Sequence, residues 1–302
     1  MSSLAFTPMA YRHVVFPDAL EPNGRAVNFM PQSAGSDRIA VPEDDLTSDE
    51  QSSLSHVFER AGLRLDDYRL ETLKRRIPSC LRALRVESPE RIGPTIDRHP
   101  DLLKTAVSSL VIGVTAFFRD PGVFAGLEES FLPEVLRRTP NPRIWSVGCS
   151  DGAELYSVAM LLAERGAIQR STLLGTDCRA DAIARAREGC YDAAALKGVP
   201  APFVGRYLSP ECAQWQVHPF LRASAQWRSG NVLYTSEPGM WDLILCRNMA
   251  IYLQPEAAGR LWARLAASLR PGGILVTGKA ERPYGAAGLV PVVPCIYQRD
   301  RS

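Results

Sequence analysis

A loop of small residues, Gly148-Cys149-Ser150-Asp151-Gly152, stands between an apolar run and a helical pattern. The order of strand, glycine loop and helix is typical of the opening turn of a nucleotide-binding α/β sheet. Glycines allow the backbone to approach a ligand, and the helix N-terminus offers unpaired N–H groups. Because many strand-to-helix turns contain two glycines and bind nothing, the remaining polar residues must decide what this loop does.

Further polar residues follow predicted strands or open a predicted helix. Asp177 ends the apolar run 171–176, where an acid is placed to accept hydrogen bonds from ribose hydroxyls. Arg247 and Asn248 follow the buried run 241–246, and Glu154 opens the helix after the glycine loop. Since parallel strands bring their carboxyl ends to one edge of a sheet, these residues predict a nucleoside ligand.

The glycine spacing limits the kind of nucleoside. The chain has no GxxxxGK[ST] sequence, and Gly148 and Gly152 do not satisfy GxGxxG, which disfavours phosphate transfer and dinucleotide binding. A ligand without phosphates, such as S-adenosylmethionine, fits the looser loop. Glu154 is placed to bind the ammonium group of that ligand. Alternatively, Glu154 is only an acid in a first helical turn, which the helix dipole favours by about 0.3–1 kcal/mol.

Length, net charge and cysteine content exclude several classes of protein. The chain has 302 residues, enough for about two domains, and a net charge of +2, so no overall field directs it to nucleic acid or membrane. The seven cysteines include no CxxC pair and the four histidines lie far apart, which disfavours a disulfide framework and a metal site. No run of residues suits a membrane span or a signal peptide, so we expect a cytoplasmic protein without membrane insertion.

Positive charge is concentrated in a predicted helical domain, 46–118, which follows a tail, 1–45, that we expect to be disordered. The strongest helical pattern covers 70–84, where Pro78 should kink or split the helix. The charged face of such a helix is usually only a solvated surface. Its positive charge also suits docking of an acidic partner protein. No nucleic-acid-binding motif accompanies the basic residues. The basic residues are Arg69, Lys74, Arg75, Arg76, Arg82 and Arg85.

The rest of the chain, 119–302, alternates strand and helix patterns, with strands expected at 171–176, 241–246, 274–277 and 290–297. The alternation breaks near 205–230, where Trp215, Val217 and Trp227 predict a small antiparallel insertion of two or three strands. The predicted fold is therefore α/β, with a helical domain in front of a parallel, Rossmann-like sheet that carries a β insertion.

These pieces resemble the chemotaxis receptor methyltransferases, the CheR family. The resemblance covers residues 46 to about 300 and includes VTAFFRD at 114–120, WSVGCSDGAELYS at 145–157, GTD at 175–177 and DLILCRNMAIYL at 242–253. It implies a seven-stranded S-adenosylmethionine-dependent methyltransferase domain behind a helical recognition domain. It also implies transfer of a methyl group from S-adenosylmethionine to glutamate side chains of a chemoreceptor, which yields glutamyl methyl esters and S-adenosylhomocysteine.

The resemblance also implies roles at matching positions. Arg119 and Tyr252 are expected to be catalytic, although a salt bridge and a packed aromatic ring are the ordinary alternatives for them. The partner is expected to be the cytoplasmic helical domain of a chemoreceptor or a similar signalling protein, recognised by Arg75, Arg76, Arg82 and Arg85. The expected cofactor contacts are Thr115, Gly148, Gly152, Glu154, Asp177, Asn231, Val232, Arg247 and Asn248.

The chain departs from the family pattern at several positions. Gly113 stands where the family usually has Asn, Ala153 where it has Glu, and Lys279-Ala280 where it has His-Ser before Glu281. Two alternatives therefore stay open: a catalytically weakened S-adenosylmethionine-binding signalling module, and a methyltransferase for another acceptor. A glutamate acceptor is already ionised at neutral pH, so the reaction needs alignment rather than a general base.

Overall fold

The computed structural model of the protein describes residues 46–111, 113, 115–235 and 237–301. The tail predicted at 1–45 lies outside these residues. A seven-stranded sheet forms the centre of the described part. Several helices precede its first strand in the sequence, and the chain also forms a separate three-stranded sheet. The predicted fold class is confirmed. None of the described helices is long and apolar enough to cross a membrane.

The N-terminal helices follow the sequence pattern closely. Thr47 caps the first helix through a capping box, in which its hydroxyl accepts from the Glu50 N–H at 3.2 Å and the Glu50 carboxylate accepts from the Thr47 N–H at 2.9 Å. The helices of this region are α1 (Ser48–Arg60), α2 (Leu70–Lys74), α3 (Ile77–Leu84), α4 (Ile92–Arg98) and α5 (Leu103–Leu110).

Pro78 divides the basic helical stretch into two helices, α2 and α3. Proline has no N–H for the carbonyl of the residue four positions earlier, which is Lys74, the last residue of α2. Pro78 instead occupies the first turn of α3, where N–H groups have no helical partner in any case. The basic side chains therefore lie on two short helices and at the ends of these helices.

The central sheet has the strand order β6-β2-β1-β7-β8-β10-β9, and β10 runs in the opposite direction to the other described strands of this sheet. The predicted last strand, 290–297, is two strands, which are joined by a turn in which Cys295 has a φ of 66°. The strands of the described residues are β1 (Arg143–Val147), β2 (Thr172–Asp177), β3 (Cys190–Tyr191), β4 (Leu208–Glu211), β5 (Gln214–Val217), β6 (Ala225–Ser229), β7 (Trp241–Cys246), β8 (Leu269–Thr277), β9 (Leu289–Val293) and β10 (Ile296–Arg299).

Helices connect the strands of the sheet. Between α6 and α7 the chain forms a π-helical turn, Leu127–Phe131, next to Pro133. The helices are α6 (Pro121–Gly126), α7 (Leu132–Arg138), α8 (Ala153–Glu164), α9 (Ala180–Glu188), α10 (Ala201–Tyr207), α11 (Pro219–Ser224) and α12 (Pro255–Ser268).

Alternate residues of the central strands enter two different apolar cores. In β1, Ile144 belongs to the core that contains α8, whereas Trp145 belongs to the core that contains α12. This follows from the two-residue period of a strand, which sends successive side chains to opposite faces. The second core also contains buried residues of α1, such as Val57 and Phe58. The N-terminal helices therefore share one core with a face of the sheet.

The antiparallel insertion is only partly where the sequence predicted it. Within 205–230, β4 and β5 pair as expected, and the third strand of their sheet is β3, which lies earlier in the chain. The stretch around Trp227 is β6, which pairs in parallel with β2 at the edge of the central sheet. The assignment of Trp227 to the insertion was wrong, because alternation of apolar and polar residues is the same in both kinds of edge strand.

The Trp227 ring occupies space that only glycine leaves open. A Cβ atom on Gly152 would lie 2.5 Å from the ring, and one on Gly175 would lie 2.4 Å from it. Gly152 also has a φ of +90°, a conformation that side chains disfavour. Two glycines thus allow an indole to pack beneath the loop that follows β1.

We expect Gly152→Ala to destabilise the protein more than Gly166→Ala. Both positions have a positive φ, but nothing lies within 4 Å of a Cβ on Gly166. The difference should be about 1–3 kcal/mol, the usual cost of overpacking. Urea unfolding measures it. In a Trp227→Leu background the difference should become smaller, although a Cβ on Gly152 still lies 3.1 Å from Ala186, and an undiminished difference would contradict the packing argument.

Candidate active site

A cleft opens at the carboxyl ends of β1, β2 and β7, with an empty volume of about 840 Å³ that is partly open to solvent. The structure brings most of the predicted site residues to its wall. These are Thr115, Arg119, Gly148, Glu154, Asp177, Asn231, Val232, Arg247, Asn248 and Tyr252.

Gly152 is not among the described residues of the cleft wall. Its contact is with the Trp227 ring, so the glycine is required there by packing and by its positive φ. Gly148, by contrast, lines the cleft with a φ of +64°, and a Cβ there would lie 2.9 Å from the sulfur of Met249. Of the two loop glycines, only Gly148 is placed for a close approach of backbone to ligand.

Arg247 is the most deeply buried charge of the site, with 1% of its side chain exposed. One terminal nitrogen donates to Glu154 Oε2 at 2.9 Å. The other donates to Asp120 Oδ2 at 2.7 Å and to the Arg119 carbonyl at 2.8 Å. A buried guanidinium is tolerated when it is paired and hydrogen-bonded in this way.

Glu154 keeps acceptor capacity toward the cleft. Its Oε1 accepts from the Ser146 hydroxyl at 3.2 Å, and its Oε2 accepts from Arg247. Each carboxylate oxygen has about two acceptor positions, so each has one left. Asp120 is shared between Arg247 and Lys279, whose Nζ lies 3.6 Å from Asp120 Oδ1, so the open acceptor positions of Glu154 are what this end of the cleft offers to a cation such as an ammonium group.

Two buried amide atoms at the cleft have no hydrogen-bond partner within the described protein, Asn231 Nδ2 and Asn248 Oδ1. Asn231 uses its other side-chain atom, Oδ1, to accept from the Leu233 N–H at 3.1 Å. Buried polar atoms without partners are uncommon and costly in native proteins. A donor and an acceptor left open on the wall fit a ligand with several polar groups, as S-adenosylmethionine has.

The segment that carries Arg119 is held in an unusual backbone conformation. Phe118 and Asp120, on either side of it, have φ values of 50° and 58°. The Phe118 N–H donates to the Ser157 hydroxyl at 3.0 Å, and Arg247 holds the next two residues. Strained residues persist only where their surroundings fix them, so the position of Arg119 on the cleft wall is well defined.

Tyr252 joins the cleft to the N-terminal helices. Its carbonyl accepts from the Arg69 N–H at 2.9 Å, and the Leu253 carbonyl accepts from Arg69 Nε at 2.9 Å. Tyr68, the residue before Arg69, also lines the cleft. Helix α2 therefore begins at the rim of the cleft.

The predicted recognition arginines lie outside the wall of the cleft. Arg75, Arg82 and Arg85 are exposed. Arg76 is half-buried and donates to the Ser109 carbonyl at 3.1 Å, which links α3 to α5. Three of the four are thus on the surface, and Arg76 has a structural contact.

Glu281 fixes the loop that carries Asn248. It is 3% exposed, and its carboxylate accepts from four backbone N–H groups, those of Asn248, Met249, Ala250 and Gly278, at 2.7, 2.9, 2.7 and 2.8 Å. Asn248 has a φ of 57°, so its conformation needs such support. In the sequence, Glu281 stands out only as a position of the family pattern, and its role becomes visible in these four hydrogen bonds.

Sequence reasoning also missed Tyr68 and Arg179, both of which line the cleft. Tyr68 comes from the helical domain, and no local pattern indicates that it reaches the sheet. Arg179 carried a signal: it is the N-cap of α9, where serine, threonine, aspartate or asparagine is usual, and its side chain makes no capping hydrogen bond.

The surroundings of the two cysteines in the cleft, Cys149 and Cys178, make their thiols unreactive. Burial, followed by the charge of Asp177, raises the pKa of Cys178 to about 12, and burial also raises the pKa of Cys149. Both thiols therefore stay protonated at neutral pH. Among the described residues, no group of three or more His, Cys, Asp or Glu side chains is arranged to hold a metal ion.

We expect Glu281→Gln to cost roughly 2–5 kcal/mol, because the amide group that replaces one oxygen leaves two buried N–H groups without an acceptor. Urea unfolding measures this loss. The control is Glu188→Gln, at the exposed end of α9, which should change stability by less than about 0.5 kcal/mol. Equal stability of the two variants would show that the Glu281 network does not hold the loop.

Comparison with known proteins identifies the family. The family model described as CheR methyltransferase, SAM binding domain, matches residues 113–295. A chemotaxis protein methyltransferase 2 of Pseudomonas aeruginosa is 30% identical over 86% of this chain and 96% of its own length. The chemotaxis protein methyltransferase Cher2 of Pseudomonas putida is 28% identical over 78% of this chain and 92% of its own.

Among solved structures, the glycopeptide N-methyltransferase MtfA in complex with S-adenosylmethionine matches at a TM-score of 0.31 and 12% identity, over 50% of this chain and 53% of its own. That likeness is too low to add to the assignment. The family match and the relatives along most of the chain are sufficient: the chain belongs to the CheR methyltransferases of chemotaxis, and its cofactor is S-adenosylmethionine.

Proposed function

We propose that the protein methylates glutamate side chains on the cytoplasmic helical domain of a chemoreceptor-like protein and so forms glutamyl methyl esters. The observation that carries this proposal is the position of the basic helices. Arg69 bonds to the backbone of Tyr252 and Leu253 at the cleft, and the chain then enters α2 and α3. Arg82 lies within α3, and Arg75 and Arg85 follow the last residues of α2 and α3. A cationic surface thus begins where a candidate catalytic residue lies.

In this proposal the cleft holds S-adenosylmethionine. Glu154 binds the methionyl ammonium group, Asp177 faces the ribose, and Asn231 and Val232 flank the adenine. The open acceptor positions of Glu154 support the first assignment, and the open amide of Asn231 supports the last. Thr115, Gly148, Arg247 and Asn248 complete the binding site, whereas Gly152 acts through Trp227.

The chemistry is an in-line displacement. The cofactor supplies a methyl group on a positively charged sulfur. The acceptor carboxylate is ionised at neutral pH, so no side chain has to remove a proton. The protein's contribution is to bring the carboxylate close to the methyl group and hold it in line. Arg119 suits this task because a guanidinium can hold a carboxylate through two parallel hydrogen bonds.

The rigid backbone around Arg119 supports its role, since an orienting group must itself be positioned. Tyr252 adds a hydroxyl at the same wall of the cleft, and its backbone is fixed through Arg69. The partner binds across the basic surface of α2 and α3, where its acidic residues meet Arg75, Arg82 and Arg85. The domain limits that follow from this proposal are 46–118 for recognition and 119–302 for methyl transfer.

We expect Arg119→Ala to lower kcat for methylation of a receptor cytoplasmic fragment by about 100-fold, because the acceptor is no longer aligned. Tyr252→Phe should lower it by about tenfold. Transfer of label from S-adenosylmethionine into a base-labile product measures both. Arg98→Ala, an exposed arginine of α4 outside the cleft, is the control and should leave kcat unchanged.

The same assay separates the alternatives. Cofactor binding without any labelled product would overturn the proposal in favour of a signalling module. Label on a small molecule but not on the receptor would favour a different acceptor. A base-stable product would exclude a carboxylate acceptor.

We expect the double variant Arg75→Glu and Arg82→Glu to raise KM for the receptor fragment at least about tenfold with little change in kcat, because both residues act in docking and not in the chemical step. Raising the ionic strength should reduce the difference from the wild type. The double variant Lys197→Glu and Arg98→Glu, two exposed changes outside the basic helices, alters the net charge by the same amount and is the control. A fall in kcat at unchanged KM would contradict the docking role.

A further inference from the structure

The Asp177 carboxylate is saturated with hydrogen-bond donors. Oδ1 accepts from the Arg179 N–H at 2.9 Å and from Arg179 Nε at 3.0 Å. Oδ2 accepts from the Ser150 N–H at 2.9 Å and from Arg179 Nη2 at 3.3 Å. An ionised carboxylate offers about four acceptor positions, so none is left for a ligand.

The Arg179 side chain accounts for one donor on each oxygen. Those two acceptor positions are the ones that a ribose diol needs, since each of its two adjacent hydroxyls donates to one carboxylate oxygen. The other donors, the Arg179 and Ser150 N–H groups, belong to the backbone and stay in place. The guanidinium of Arg179 therefore binds both oxygens of Asp177 at once, as the two hydroxyls of a ribose diol would.

Space for the guanidinium exists because residue 113 is glycine. A Cβ atom on Gly113 would lie 1.8 Å from Arg179 Nη2 and 2.2 Å from its Cζ. Arg179 is 5% exposed and lines the cleft, so it is packed inside the site and not merely near it. Its side chain also does not cap α9, so the local helix does not explain its presence.

We propose that Arg179 is a built-in plug of the ribose subsite, which the cofactor must displace in order to reach Asp177. This inference rests on the proposed role of Asp177 as the ribose anchor. The plug lowers the affinity for the cofactor, because only the fraction of molecules with Arg179 displaced can bind the diol. Gly113 and Arg179 act as one unit: the glycine makes the room that the guanidinium fills.

The test is the Kd of S-adenosylhomocysteine, measured by calorimetry with the full chain. This ligand has a neutral sulfur, so loss of a nearby positive charge does not by itself attract it. Arg179→Ala should bind at least about tenfold more tightly than the wild type, because the ribose no longer competes with charge-assisted hydrogen bonds. Arg185→Ala, an exposed arginine of α9 paired with Asp181, is the control and should leave Kd unchanged.

A second variant displaces the plug without removing it. Gly113→Ala should also tighten binding, since its Cβ excludes the guanidinium from the space beside Asp177. In an Arg179→Ala background the same change should have no effect on Kd. Methylthioadenosine and its 2′-deoxy form provide a further control: the gain caused by Arg179→Ala should shrink when one hydroxyl is missing.

The outcomes are distinct. Unchanged or weaker binding by Arg179→Ala overturns the plug and makes Arg179 either irrelevant or a ligand contact. Absence of binding by every variant overturns the cofactor site itself, and the plug with it. Tighter binding without formation of methyl esters supports the plug and counts only against the proposed acceptor.

Discussion

Burial of the Arg247 charge is the constraint on which the rest of the cleft depends. The guanidinium follows β7 and must find partners, and it finds them in the first turn of α8 and in the segment before α6. Removal of one partner from a buried pair typically costs 3–5 kcal/mol. The irregular segment with Arg119 is therefore tied to the sheet by charge, in a part of the chain where no regular hydrogen-bond ladder can hold it.

The same site shows how a sheet edge uses backbone groups. Glu281 gathers N–H groups from the loop after β7, while Asp177 takes the N–H groups of Ser150 and Arg179. Both acids satisfy donors that a sharp turn would otherwise leave unpaired, which is the general requirement for buried backbone. Loops of positive φ can exist at the cleft because carboxylates compensate their lost hydrogen bonds.

Local sequence patterns predicted most of the fold. The apolar run 241–246 is β7 to the residue, and the basic helical pattern at 70–84 divides at Pro78, as expected. Periodicity failed where a pattern had two structural meanings, as at Trp227, whose strand pairs with β2, and at 290–297, which is two strands. Pairing partners depend on distant parts of the chain and leave little trace in a short window.

The candidate site was predicted where a residue type follows a strand or matches a family string, as for Asp177 and Asn248. It could not be predicted where the reason is three-dimensional. The need for glycine at position 152 comes from a ring far along the chain, and the room beside Gly113 becomes visible only with Arg179 in place. Spacing along the sequence carries no information on such contacts.

The N-terminal helices and one face of the sheet bury their apolar residues in a single core, in which Val57 and Phe58 of α1 belong with Trp145 of β1. Substitutions in the core of one region therefore have to stay compatible with the core residues of the other. An exchange of the N-terminal helices between relatives would bring together mismatched halves of one interior. A new choice of partner is reached more easily by substitutions on the outer surface of α2 and α3, which leave that interior unchanged.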